Sequence, residues 1–407
     1  MPMKKSVSII LILCLLLLAG CEKAPVQEQG VGLLTAEEIL TGDYVKLEGR
    51  YDSTAGQGSD PARVNLYHTA GGFTVEFTGT ALYVEFYSEE EREEHHPYFN
   101  VAVDEEVLPT TGEDRTFCLT GSVQRVTVVE GLEYGKHTVT CLKMSEPYDG
   151  VTSLVLMETD GTFEKRDKQF DAGNFRFMVV CASGGSGHGS LGYSENGGRL
   201  ARTTANSSSL HAFPYLTARM FGADVQFVAN SGWGVSFPEN RSVLDVMDYS
   251  GITGSNNVSG AMTTAKWDLQ QWVPDVILFN IGGNDTTASG FDKSIYQQEV
   301  VQMVEKLHLQ YPDAYMIWTH TNSNAGKYAV SALTDAGIIQ QGFLQVVVIP
   351  KVGSDGTTGA NHHNSLLTHI ATADILAQAL IDRWGFTPIR ENIAFEDYAP
   401  LLETFGK

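Results

Sequence analysis

Two hydrophobic periods divide this chain, and the switch between them near Lys165 limits its fold more than any other feature. From Val45 to about Phe163, apolar side chains alternate with polar ones: Phe73, Val75 and Phe77, then Leu82, Val84 and Phe86, then Phe99, Val101 and Val103. Val126 and Val128, and finally Val139 and Cys141, continue the series. A period of two sends successive side chains to opposite faces, so each segment reads as a half-buried β-strand. Turn residues separate the strands at Ala70-Gly71-Gly72 and Thr78-Gly79-Thr80. An all-β sandwich of jelly-roll type fits this run best.

Beyond Lys165, apolar runs at 175–180, 225–229, 276–279, 315–318 and 345–349 alternate with helical stretches. That alternation is the pattern of a parallel sheet covered by helices on both faces, a three-layer α/β domain. Residues 294–310 carry Val300, Val301, Val304 and Leu307 at helical spacing, and Pro312 stops the helix. A second helix is expected over 366–384, with Ser365 as its N-cap. The length of 407 residues suits two domains of about 100 to 200 residues each. The expected division is a signal segment at 1–20, a tether at 21–35, the β-sandwich at 36–165, the α/β domain at 170–390 and a C-terminal extension at 391–407.

At the N-terminus, Lys4 and Lys5 precede an apolar run that ends at Ala19. It is shorter than the roughly 20 apolar residues a spanning helix needs and reads as an export signal. Leu18-Ala19-Gly20-Cys21 resembles the bacterial lipobox. The resemblance implies cleavage before Cys21, a lipid on its sulfur and an extracytoplasmic protein anchored to the membrane. Read as an ordinary secretory signal, the same segment still exports the chain. Lys and Arg total 27 against 49 Asp and Glu, a net charge of −22, which argues against a nucleic-acid partner. Neutral glycans feel no such repulsion. Cys118, Cys141 and Cys181 show no metal-ligand spacing and read as buried thiols, although Cys118 and Cys141 lie on neighbouring strands. The histidines also lack metal-binding spacings, so neither metal nor cofactor is expected.

In open parallel sheets, ligands and reacting groups gather at the carboxyl ends of the strands. Four such ends here carry chemistry. The first is Cys181-Ala182-Ser183-Gly184-Gly185-Ser186-Gly187-His188-Gly189, followed by Asn230-Ser231-Gly232-Trp233-Gly234. The third is Gly282-Gly283-Asn284-Asp285, and the last is Asn361-His362-His363-Asn364-Ser365. Acyl transfer needs a hydroxyl nucleophile, an imidazole to take its proton and neutral donors for the oxyanion, and these loops contain all three. Ser183 and Ser186 compete as nucleophile, and His363 and His362 compete as base. Trp233 and Trp318, both at strand ends, are candidates to stack on sugar rings, with core packing as the alternative.

In that order the blocks resemble the SGNH hydrolases, and among them carbohydrate esterase family 2, over about residues 36–390. The serine and both later glycines of the first block match Gly-Asp-Ser-Ile-Thr-x-Gly-x-Gly, although the preceding Gly-Asp is absent. The resemblance makes Ser183 the nucleophile and Gly232 and Asn284 oxyanion donors, the latter within an intact Gly-x-Asn-Asp. His363 takes the base position of Asp-x-His-Pro-Ser, but Asn361 stands where the aspartate belongs. The histidine would then be oriented by Asn361, by a backbone carbonyl, or by Asp355 from the neighbouring loop. The expected activity is removal of acetyl groups from plant polysaccharide such as xylan or glucomannan, or from derived oligosaccharides. A degenerate, glycan-binding protein and an esterase of another acylated substrate are the alternatives.

Overall fold

The computed structural model describes residues 31–402 apart from 89, 91, 112–114, 169–174, 196, 197, 199, 238–241, 254–261, 391, 392, 395, 396, 400 and 401. The signal segment and Cys21 lie outside the described residues.

The N-terminal region is rich in antiparallel strands: β1 (Gly72–Gly79), β2 (Leu82–Ser88), β3 (Tyr98–Val103), β4 (Val123–Val129), β5 (Gly135–Lys143) and β6 (Thr152–Phe163). β5 pairs along its length with β1 and on its other side with β3, while β2 lies between β4 and β6. β6 is long enough to pair with β2 and, at Thr162 and Phe163, with β1. A register shift between Leu154 and Leu156 marks a bulge within it. The period of two is realised: Phe73, Val75 and Phe77 of β1 and Leu82, Val84 and Phe86 of β2 are all buried. Cys118, Cys141 and Cys181 are free thiols.

The later region contains five parallel strands, β7 (Arg176–Cys181), β8 (Asp224–Ala229), β9 (Val276–Asn280), β10 (Tyr315–His320) and β11 (Leu344–Val348), in the spatial order β8-β7-β9-β10-β11. Helices α1 (Phe213–Met220) and α4 (Leu366–Trp384) cover one face, and α2 (Lys293–Gln310) and α3 (Asn324–Asp335) the other. Successive residues of a strand therefore enter different cores. Phe177, Val179 and Phe227 pack with Leu216 and Leu376, whereas Met178, Val180 and Val228 pack with Val304 and Leu333. Burial on both faces is why these strands read as unbroken apolar runs. The N-cap of α2 is Asp292, whose carboxylate accepts from the N–H groups of Ser294 and Ile295. Ser365 caps α4 by accepting from Thr368 N–H, and Gly385 ends it at φ 71°.

The two regions are packed as one unit from Gly32 onward. Ala70, Leu142 and Met144 of the first share a core with Phe177 and Leu210 of the second. Arg50, fully buried, donates to Gln226 Oε1 at 3.0 Å and to the carbonyls of Met247 at 2.5 Å and Tyr249 at 3.0 Å. Its burial, with no carboxylate among the described residues at contact, pushes the guanidinium down to about 10.

Candidate active site

The chain turns sharply where β7 ends. Ala182 N–H bonds to Asn280 O of the neighbouring strand, and Ser183–Ser186 make one helical turn closed by Gly187 at φ 80°. A Cβ on Gly187 would lie 2.1 Å from Ser208 O, so the glycine allows both the left-handed turn and the close approach. This turn leaves Ser183 half-buried at the rim, with Ser186 facing inward at 2% exposure. Ser186 Oγ donates to Glu146 Oε2 at 2.9 Å, so that hydroxyl is spent on a buried carboxylate.

Ser183 Oγ lies 2.9 Å from His363 Nε2, and His363 Nδ1 lies 2.9 Å from the backbone carbonyl of Asn361. A carbonyl can only accept, so Nδ1 carries the ring proton. Nε2 is therefore left with its lone pair toward the serine hydroxyl, the tautomer a general base requires. Burial, then the neighbouring His188, pushes the imidazole down to about 4, which keeps it neutral at physiological pH. Asn361 and His362 both hold left-handed backbone, at φ 52° and 54°. Such residues cost of order 1–3 kcal/mol each and cluster where surrounding structure enforces them. Here the loop is pinned by Asn361 N–H on Leu200 O at 2.8 Å and by Gly359 N–H on His363 O at 2.9 Å.

Asn361 thus reaches His363 through its carbonyl; its side-chain amide lies instead 3.4 Å from His188 Nε2. Asp355 does not orient the histidine. Its carboxylate accepts from Thr357 N–H and Oγ1 and from Thr368 Oγ1, tying the preceding loop to the first turn of α4. His362 is exposed.

Asn284 stands in a one-turn helix after β9, and its amide donates to Trp233 O at 2.7 Å. Ser183, Gly184 and Asn284 line one open cleft, with Asn280, Thr319 and His320 along its wall. Gly232, at φ 83°, sits between Ser231 and the Trp233 carbonyl that Asn284 holds, and among the described residues its N–H donates to no protein acceptor. The aspartate of Gly-x-Asn-Asp has a different task. Asp285 is buried and accepts from Val235 N–H, Ser236 N–H and Ser236 Oγ, which fixes the loop beyond Gly232.

The two tryptophans are not sugar platforms. Trp233 is 1% exposed and Trp318 is fully buried, the latter stacked on Phe279 with ring centroids 5.4 Å apart. Trp318 points into the core between β10 and α3 because the strand's alternation sends it there. A group unmarked by any motif reaches the site from the N-terminal region: Glu146, which follows β5 and bonds to Ser186, His188 and Ser231. Its neighbours are 40 to 85 positions away in sequence, so no local spacing announces it.

Residues 49–164 match the family model described as Carbohydrate esterase 2 N-terminal. This chain carries a carbohydrate esterase 2 N-terminal domain. It is 24% identical over 373 residues to Cellulase/esterase CelE of Acetivibrio thermocellus, covering 86% of this chain and 41% of that protein. It is 27% identical over 213 residues to the acetylxylan esterase / glucomannan deacetylase of Cellvibrio japonicus, covering 49% of this chain and 53% of that protein. The chain therefore spans about half the length of these curated relatives. A solved family two carbohydrate esterase from Clostridium thermocellum, in complex with cellohexaose, superposes with a TM-score of 0.68 at 22% identity, covering 84% of this chain and all of that one. The carbohydrate esterase 2 N-terminal domain and the parallel-sheet region thus share a two-domain fold with family 2 carbohydrate esterases.

Proposed function

We propose that this protein is an exported carbohydrate O-acetyl esterase that deacetylates plant polysaccharide such as xylan or glucomannan, or oligosaccharides derived from them, through Ser183 and His363. The observation that carries this reading is the 2.9 Å contact of Ser183 Oγ with a neutral His363 whose other nitrogen is held by a carbonyl. Kinship with an acetylxylan esterase / glucomannan deacetylase supports the substrate class. In this reading the N-terminal strands form a jelly roll, Cys21 is the lipid attachment site, and the partners are an acetylated glycan and a membrane.

The chemistry runs in two halves. Ser183 Oγ attacks the acetyl carbonyl carbon while its proton passes to His363 Nε2. The oxyanion of the tetrahedral intermediate accepts from the N–H groups of Ser183 and Gly232 and from the Asn284 amide. As the intermediate collapses, the sugar oxygen leaves with the proton from His363, and the acetyl group stays on Ser183. Water then gives its proton to His363, attacks the acyl carbon and releases acetate, and the proton returns to Ser183. Among the described residues no carboxylate faces Nδ1, so the imidazolium is stabilised by a carbonyl dipole rather than by a full charge.

The test is acetate release from 4-nitrophenyl acetate and acetylated xylan by the purified protein and by Ser183→Ala. The parent is expected to release acetate, and the variant to lose at least about 10⁴-fold in kcat. A folded parent that releases none from either ester, yet binds the polysaccharide, would replace this reading with that of a degenerate glycan-binding protein.

A further inference from the structure

Behind the dyad lies a buried polar cluster to which the acyl-transfer steps assign no task. Its centre is Glu146, 2% exposed. Glu146 Oε2 accepts from Ser186 Oγ at 2.9 Å and from Ser231 N–H at 2.7 Å. Oε1 accepts from Ser231 Oγ at 2.7 Å and from His188 Nδ1 at 2.8 Å. Arg202 approaches Oε1 at 3.7 Å and is paired with Asp149, three residues beyond Glu146. Burial opposes the charge of Glu146, yet the bond from His188 and the charges around it hold the carboxyl down to about 2.

Joining two regions this way is costly, because an ionised carboxylate loses hydration that apolar contacts would not forfeit. The positions of its donors give the reason. Ser186 belongs to the turn that begins with Ser183, and Ser231 immediately precedes Gly232. His188 lies with its ring centroid 4.5 Å from that of His363, and its Nε2 is 3.4 Å from the amide of Asn361, whose carbonyl holds His363. One carboxylate thus touches the nucleophile loop and the oxyanion loop directly, and the base loop through one imidazole.

We propose that Glu146 is a positioning residue that sets the mutual placement of the Ser183, Gly232 and His363 loops through Ser186, Ser231 and His188, so that the N-terminal β region completes the active site. This rests on the reading of the chain as a serine esterase. Glu146 touches no reacting atom; it acts by holding the groups that do. Misplacement of such groups by about 1 Å costs on the order of 100-fold in rate, which is the scale of effect to expect.

Glu146→Gln preserves size but replaces one accepting oxygen with a donor facing donors. Steady-state kinetics with 4-nitrophenyl acetate should show kcat lowered about 100-fold with KM within about threefold of the parent. Labelling of Ser183 by an alkyl fluorophosphonate, followed by intact mass, should slow by a similar factor. A purely structural role would lower the melting temperature while leaving the kcat and labelling rate of the folded protein alone. A folded Glu146→Gln whose kcat and labelling rate stay within about threefold of the parent overturns the proposal. Should that variant not fold, Ser231→Ala and His188→Phe each cut one tie; losses of about tenfold in kcat support it, and parent-like rates in both overturn it. Failure of the substrate assignment reads differently: acetylated glycans would go unhydrolysed while the fluorophosphonate still labels parent Ser183 and the variant comparison stands. A parent Ser183 that does not label overturns the dyad and its positioning together.

Discussion

The two regions of this protein contribute to the site in opposite ways. In the proposed mechanism the parallel sheet delivers the reacting groups at the ends of consecutive strands: Ser183 after β7, Gly232 after β8 and Asn284 after β9, with His363 just before α4. The antiparallel region delivers none of these, and instead sends buried charged groups across the contact, Arg50 to the Met247 and Tyr249 carbonyls and Glu146 to the Ser183 and Gly232 loops. On the proposed reading the chemistry is local to one topology, and the N-terminal region supports it by hydrogen bonds that no reacting atom enters.

That division can be broken by variants on either side of it. Asn284→Ala, within the sheet's set, should lower kcat by about 10² to 10³, or roughly 2.7–4 kcal/mol, with stability nearly unchanged. An unaltered kcat would remove Asn284 from the oxyanion site. Arg50→Met, on the other side, should leave kcat at 25 °C as it is and reduce unfolding free energy by about 2–3 kcal/mol, since buried carbonyls lose their donor. Chemical denaturation beside kinetics separates the two outcomes, and a fall in kcat without loss of stability would blur the distinction.

The pH dependence sharpens the comparison next. As the proposed base, His363 works only when neutral, and its imidazole is pushed down to about 4, so kcat/KM should be level from neutral pH to about 5 and fall about tenfold per unit below 4. Stability should weaken over a wider window. Burial pushes His68 of the β region, and His211 and His369 of the α/β region, down to about 3. A folded-state value below the unfolded value of about 6.5 means a contribution fully present above pH 6.5 and lost as pH falls toward 3. Melting temperature measured from pH 7 to 4 should decline while kcat/KM holds to about 5. The smallest effect is expected from Trp318→Phe, which should lower the melting temperature and leave KM for polysaccharide within about twofold, because a buried ring meets no substrate.

Much of the scaffold was legible along the chain. The apolar runs at 276–279 and 315–318 begin at the residues where β9 and β10 begin, and α4 covers the span marked by Ser365 and the helical period. Strand edges differ by a residue elsewhere, as at β7, where Arg176 pairs with Asp224 although neither is apolar. The blocks nominated Ser183 and His363, whose Oγ and Nε2 lie 2.9 Å apart across a sequence separation of 180. What orients His363 was open between Asn361, a carbonyl and Asp355, because the choice depends on two consecutive left-handed residues that the composition of the loop does not specify. For Trp233 and Trp318 the sequence leaves sugar stacking and core packing both open, since a strand end is compatible with either face, and burial decides for the core.

Along the chain alone, periodicity and turn residues already set a strand-rich region ahead of a parallel-sheet region, the order of the strand-end loops and the residue types those loops present. Periodicity and turn chemistry act between residues a few positions apart, and they survive in a one-dimensional reading. The tertiary structure alone decided which serine meets the imidazole, which carbonyl holds it, which tryptophans are core and which carboxylate stands behind the loops. Each of these is a contact between distant segments, selected by burial and by the need to satisfy every buried polar group, and that accounting exists only once the chain is folded.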